Sequence, residues 1–185
     1  MSELEPSPPR RPAGEARGLR WKIWLAQGFG VGRIGKAPGT AGSVVGVAWT
    51  AILIAPGSPW IFAAGAAAGL SVSVWLCGEA ERILGRDPGS VVLDEIVALP
   101  LCYLPWLIHS WSMTGAEPTP ARFISAWNGW LCPLGFLLFR LFDIWKPWPV
   151  RQSQELPGGW GVTVDDVLAA AYAALALLIL QMTGR

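Results

Sequence analysis

Five apolar runs dominate this chain, at about residues 43–55, 59–78, 91–109, 123–142 and 165–183, and acidic side chains are kept out of their middles. A helix needs about 20 predominantly apolar residues to cross a bilayer. In hydrocarbon only a helix or a closed barrel satisfies its own backbone hydrogen bonds, so runs of this length leave few folds open. The pattern predicts an all-α, multi-pass membrane bundle of about five apolar helices. Composition agrees: 52% of residues are hydrophobic and 15% charged, against about 25% charged in an ordinary soluble domain. The 185 residues suggest one membrane domain over 21–185. It follows a tail over 1–20, rich in Pro, Arg, Glu and Gly, that is expected to be disordered. Trp21–Leu25 reads as an amphipathic patch suited to a helix at the interface.

Lysine and arginine set the orientation. Arg10, Arg11, Arg17, Arg20, Lys22, Arg33, Lys36, Arg82, Arg86, Arg140, Lys146 and Arg151 fall on one side of the five-segment arrangement, and only Arg122 and Arg185 on the other. Positive charge is retained in the cytoplasm, so the N-terminus is expected on the cytoplasmic side of the membrane and the C-terminus on the other. The same assignment brings Asp94, Glu95, Asp143, Asp165 and Asp166 to the cytoplasmic ends of helices. Carboxylates are costly in hydrocarbon and mark function when they border it. Several on one face suit a hard divalent cation.

Residues 28–43 are glycine-rich, and Arg33 and Lys36 lie beside the start of the next apolar run. Thr40 and Ser43 are expected to cap that helix. Free backbone N–H groups there suit phosphate. Arg140, Asp143 and Lys146 are spaced three apart, so all three are expected on one helical face before Pro147 and Pro149 halt it. Arg151 adds a further cation. Cys77, Cys102 and Cys132 lack metal-ligand spacing and read as small buried hydrophobes. One histidine, His109, leaves little for histidine chemistry. No basic stripe with stacking aromatics is present, so nucleic acid is not the expected partner.

These stretches resemble the phosphatidylglycerophosphatase A family over about residues 28–170. The matching pieces are Pro38-Gly39-Thr40-Ala41-Gly42-Ser43, Val92-Leu93-Asp94-Glu95, Phe139-Arg140-Leu141-Phe142-Asp143-Ile144-Trp145-Lys146-Pro147-Trp148-Pro149 and Gly158-Gly159-Trp160-Gly161-Val162-Thr163-Val164-Asp165-Asp166. Ala98 and Ala170 stand where the family often has glycine. The resemblance implies a Mg²⁺-dependent phosphatase of the inner membrane, its active site facing the cytoplasm. It would convert the membrane phospholipid phosphatidylglycerophosphate to phosphatidylglycerol and phosphate. The expected catalytic residues are Asp94, Glu95, Asp143, Lys146, Asp165 and Asp166. The five acids are the expected metal ligands, and Arg33, Lys36, Gly39, Thr40, Arg140 and Arg151 the expected phosphate contacts. A lipid phosphotransferase using a CDP-alcohol lacks its Asp-Gly-x-x-Ala-Arg signature here. A transporter or structural subunit would not gather its charges at one face.

Overall fold

The structure, a computed structural model, describes residues 13–112 and 117–183. Among these every regular element is helical, as the apolar runs require. Helix α1 is Ala13–Ala26, α2 Pro38–Ile54, α3 Pro59–Leu84, α4 Leu93–Ala98, α5 Leu104–Ser112, α6 Pro120–Ser125, α7 Leu131–Trp145, α8 Val150–Ser153 and α9 Gly159–Thr183. Residues 1–12 of the expected tail lie outside the described residues, but α1 already begins at Ala13. It therefore reaches back into the stretch expected to lack structure. Lys22 anchors it on α3, with Nζ 2.7 Å from Glu79 Oε2.

Among the described residues two helices, α3 and α9, are long and apolar enough to cross a membrane, and α2 is a shorter apolar helix. The other two expected spans are broken. Within 91–109, α4 gives way to a 3₁₀ stretch, Leu99–Tyr103, before α5. Pro100 and Pro105 each remove a backbone donor there, which prevents one continuous α ladder. Within 123–142, a 3₁₀ turn at Ala126–Gly129 separates α6 from α7. Gly129 sits at φ 86°, a value glycine reaches without penalty.

The main core lies where α2, α4, α7 and α9 meet the 3₁₀ stretch after α4, and it holds Leu53, Leu99, Tyr103, Phe139 and Leu177. Tyr103 packs edge-on to Phe123 at 4.7 Å and donates to the Cys132 carbonyl at 2.9 Å. Ala98 and Ala170 are fully buried in this cluster, so their methyl groups fit inside the packed core. At the end away from the acids, Trp111 Nε1 donates to the Gly57 carbonyl at 3.0 Å. That bond ties the α2–α3 turn to α5.

Helix α9 begins earlier than the apolar pattern suggests. Gly158-Gly159 looks like a linker, yet Gly159 is already helical. A Cβ on Gly159 would strike the Val74 carbonyl, and Gly78 N would lie 2.6 Å away. The glycines let α9 lie backbone to backbone on α3. Asp165 and Asp166 consequently sit in the second turn of α9 instead of opening it, and both are buried.

Candidate active site

Three carboxylates converge at one end of the bundle. Asp94 and Glu95 occupy the first turn of α4, and Asp166 comes from α9. One oxygen from each lies within 4.8 Å of the others. Asp94 is 5% exposed and Asp166 2%. Glu95 Oε2 and Asp166 Oδ1 are buried without a hydrogen-bond partner. Burial raises the Asp94 carboxyl to about 7. It also lifts Glu95 well above the ordinary range, with the neighbouring Asp94 charge adding to the effect. Buried like charges repel and seek a proton or a cation. An all-oxygen donor set with orphaned oxygens fits a hard divalent ion.

Arg140 borders this trio. Its Nη1 lies 2.6 Å from Asp143 Oδ2 and 3.7 Å from Glu95 Oε1. Ser43 Oγ is 3.5 Å from the same nitrogen and donates to the Gly39 carbonyl at 2.8 Å. Arg140 Nε is buried without a partner. A Cβ on Gly39 would collide with Glu95 Oε1 and come within 3.0 Å of Arg140 Nη1. Gly39 thus brings the start of α2 against the charged groups. Asp143 pairs with the guanidinium and is not among the three carboxylates whose oxygens lie within 4.8 Å of one another, though its charge reaches Asp94 and Glu95.

Lys146 departs from its expected place. Helix α7 stops at Trp145, and Lys146 is its C-cap in the left-handed region, φ 48° and ψ 62°. Its side chain reaches α9, where Nζ donates to Asp165 Oδ2 at 2.7 Å. Burial opposes the ammonium charge, but the bond to Asp165 and the negative charges of Asp165, Asp143 and Asp166 together outweigh it and raise the lysine above its usual value. Gln154 Nε2 donates to the same Asp165 oxygen at 3.0 Å. Asp165 therefore faces a cationic side chain, while its neighbour Asp166 belongs to the trio.

The remaining expected phosphate contacts lie at the surface. Arg33 is exposed, and its Nε donates to Gln27 Oε1 at 2.6 Å. Lys36 and Thr40 are exposed, and Arg151 is exposed on α8. The helix starts at Pro38 with Ala37 as N-cap, which places Thr40 and Ser43 inside α2 and not at its cap. Proline at the first helical position fixes that earlier start. Ser43 and Gln154 were not singled out as site residues. Ser43 could have been found from its place in the glycine motif, whereas Gln154 carries no local signal.

A sequence profile described as phosphatidylglycerophosphatase A matches residues 24–181. The chain is 35% identical to the phosphatidylglycerophosphatase A of Haemophilus influenzae over 161 residues, 85% of this chain and 86% of that one. It is 29% identical to the Escherichia coli protein of that name, over 83% of this chain and 79% of the other. A Bacteroides thetaiotaomicron protein provisionally named phosphatidylinositol-3-phosphatase is 33% identical over 85% of this chain and 91% of its own. No solved structure matches. The chain belongs to the phosphatidylglycerophosphatase A family, a family of phosphatase enzymes.

Proposed function

We propose that this member of the family hydrolyses the terminal phosphate monoester of phosphatidylglycerophosphate at the cytoplasmic face of a bacterial inner membrane. One observation carries the reading. Glu95 Oε2 and Asp166 Oδ1 are buried without a partner, and the Arg140 guanidinium, 3.7 Å from Glu95, has its own buried Nε unpartnered. A cation on the first and a phosphate on the second would complete both.

Asp94, Glu95 and Asp166 would hold Mg²⁺, which supplies charge stabilisation to the phosphoryl oxygens when bound. Arg140 offers a planar fork to the phosphate, and Asp143 fixes its direction. Lys146 adds a second positive charge from the end of α7. Water supplies the new P–O bond, the bond to the glycerol oxygen breaks, and that oxygen leaves with a proton. Charges placed beforehand around the phosphoryl group are worth most where water is excluded, and this site is largely buried.

Membrane embedding is supported by the surface. Trp60 and Trp130 are exposed at the far end of the bundle, and Trp145, Trp148 and Trp160 at the acidic end. Two such groups suit the two interfaces of a bilayer. Helices α3 and α9 cross it as single helices, and α2 and the broken α4–α5 and α6–α7 segments pass between the same two ends, which keeps five passes.

The test is phosphate release from phosphatidylglycerophosphate by purified protein, with Mg²⁺ or with chelator. Release that requires the ion is expected; no release with Mg²⁺ would remove the proposal. The relative named for a phosphoinositide makes phosphatidylinositol-3-phosphate the comparison substrate, and faster turnover of it would transfer the assignment to that lipid.

A further inference from the structure

We propose that Asp165 and Gln154 form a clasp that positions the Lys146 ammonium for the substrate phosphate, making Asp165 a positioning residue and not a cation ligand. The inference deepens the proposed function and rests on it for the identity of the phosphate.

Both Asp165 oxygens are engaged. Oδ2 accepts from Lys146 Nζ at 2.7 Å and from Gln154 Nε2 at 3.0 Å, and Oδ1 accepts from the Asp166 backbone N–H at 3.0 Å. Asp166 Oδ1, one residue on, has no partner. Adjacent helix positions point about 100° apart, so the two carboxylates serve different neighbours. The position of Lys146 comes from its left-handed backbone, which turns the chain back toward α9. Gln154 is itself anchored. Its carbonyl accepts from Arg86 Nη2 at 2.8 Å, and Nε2 lies 3.4 Å from Asp87 Oδ2. The loop between α3 and α4 thereby braces the α8–α9 linker across the Asp165 oxygen.

A lysine ammonium has three donors. It can keep its bond to Asp165 and still turn two toward a phosphate. A free lysine side chain has many rotamers, and the clasp removes much of that freedom before substrate arrives.

The experiment uses the full chain in detergent micelles, with Asp165→Asn, Gln154→Leu, the isosteric Gln154→Glu, and Lys146→Met alone and combined with each. Expected is a fall in kcat of about ten-fold for Asp165→Asn and about three-fold for the Gln154 variants, with KM changed by less than about two-fold. The Mg²⁺ concentration for half-activation stays within about two-fold of the unmutated protein's. In the Lys146→Met background the losses do not multiply, because each change acts through the same ammonium. A readout independent of turnover is labelling of Lys146 by an amine-reactive ester, normalised to exposed Lys36 and read by peptide mass spectrometry. Release from the clasp raises it. A rise of ten-fold or more in the half-activating Mg²⁺ concentration for Asp165→Asn would make Asp165 a ligand and overturn the proposal. Multiplying losses, or labelling unchanged in all three variants, would overturn it too. If the unmutated protein released no phosphate from the lipid, the functional reading would fall while the labelling still decided the clasp.

Discussion

At Arg140 one side chain meets an aspartate, a glutamate and a serine, and its Nε is left over. Arg140→Lys keeps the charge but loses the planar fork. Phosphate release should fall about a hundred-fold, the scale of losing an oriented charge at such a centre, while thermal unfolding shows the protein still folded. Full turnover in Arg140→Lys would mean the residue only balances Asp143. Asp166→Asn should abolish the Mg²⁺ response with the fold retained, and wild-type dependence on Mg²⁺ would exclude Asp166 as a ligand. Asp94 links stability to pH. In the fold it keeps its proton to about 7, against an ordinary value of 3.8. Between those values the folded state binds more protons than the unfolded one, so stability falls as pH rises through that window. With chelator, thermal unfolding scanned from about pH 4 to about pH 8 should show this decline, and excess Mg²⁺ should flatten it by favouring the charged form. A flat profile with chelator would show that Asp94 is not a proton-binding site of the fold. Spacing made the Arg140–Asp143 pair legible in the sequence. It misdirected Lys146, because i, i+3 reasoning holds only while the helix continues, and α7 ends one residue too soon.

The contact between α3 and α9 turns on residues without side chains. Gly78 and Gly159 meet backbone to backbone, with a Cβ on Gly78 lying 2.9 Å from Gly159 N. Gly159→Ala should destabilise the protein by about 2 kcal/mol, in the range for overpacking a tight contact. It should also lower phosphate release although no charged residue is touched. Gly158→Ala is the control. That residue sits at φ 58° with nothing near the added Cβ, so only about 1 kcal/mol of backbone strain is expected. Equal unfolding temperatures for the two variants would contradict the packing account. Glycine clusters signal both linkers and close helix contacts. Which of the two applies depends on the partner helix, and that information is distant in sequence. For the same reason the apolar run placed the start of α9 about two turns late.

Across the whole molecule, helical class, family and the gathering of acids at one end were readable from apolar segmentation and four short motifs. The count of continuous spans was not, since Pro100, Pro105 and Gly129 interrupt runs that composition alone joins. The proposed orientation has its own check. Reporter fusions at residue 115 and at the C-terminus should both report the periplasmic side, and a cytoplasmic signal at both would reverse the bundle. The trio lies at one end of the two long helices, and the far end carries tryptophans without a comparable acidic group among the described residues. In the proposed orientation, a phosphatase built this way would work on one leaflet only. Each turnover would leave its product lipid, with less negative charge, in the monolayer where the substrate resided. Supply to the opposite monolayer would then depend on transbilayer movement, a separate step that this chain does not perform by hydrolysis.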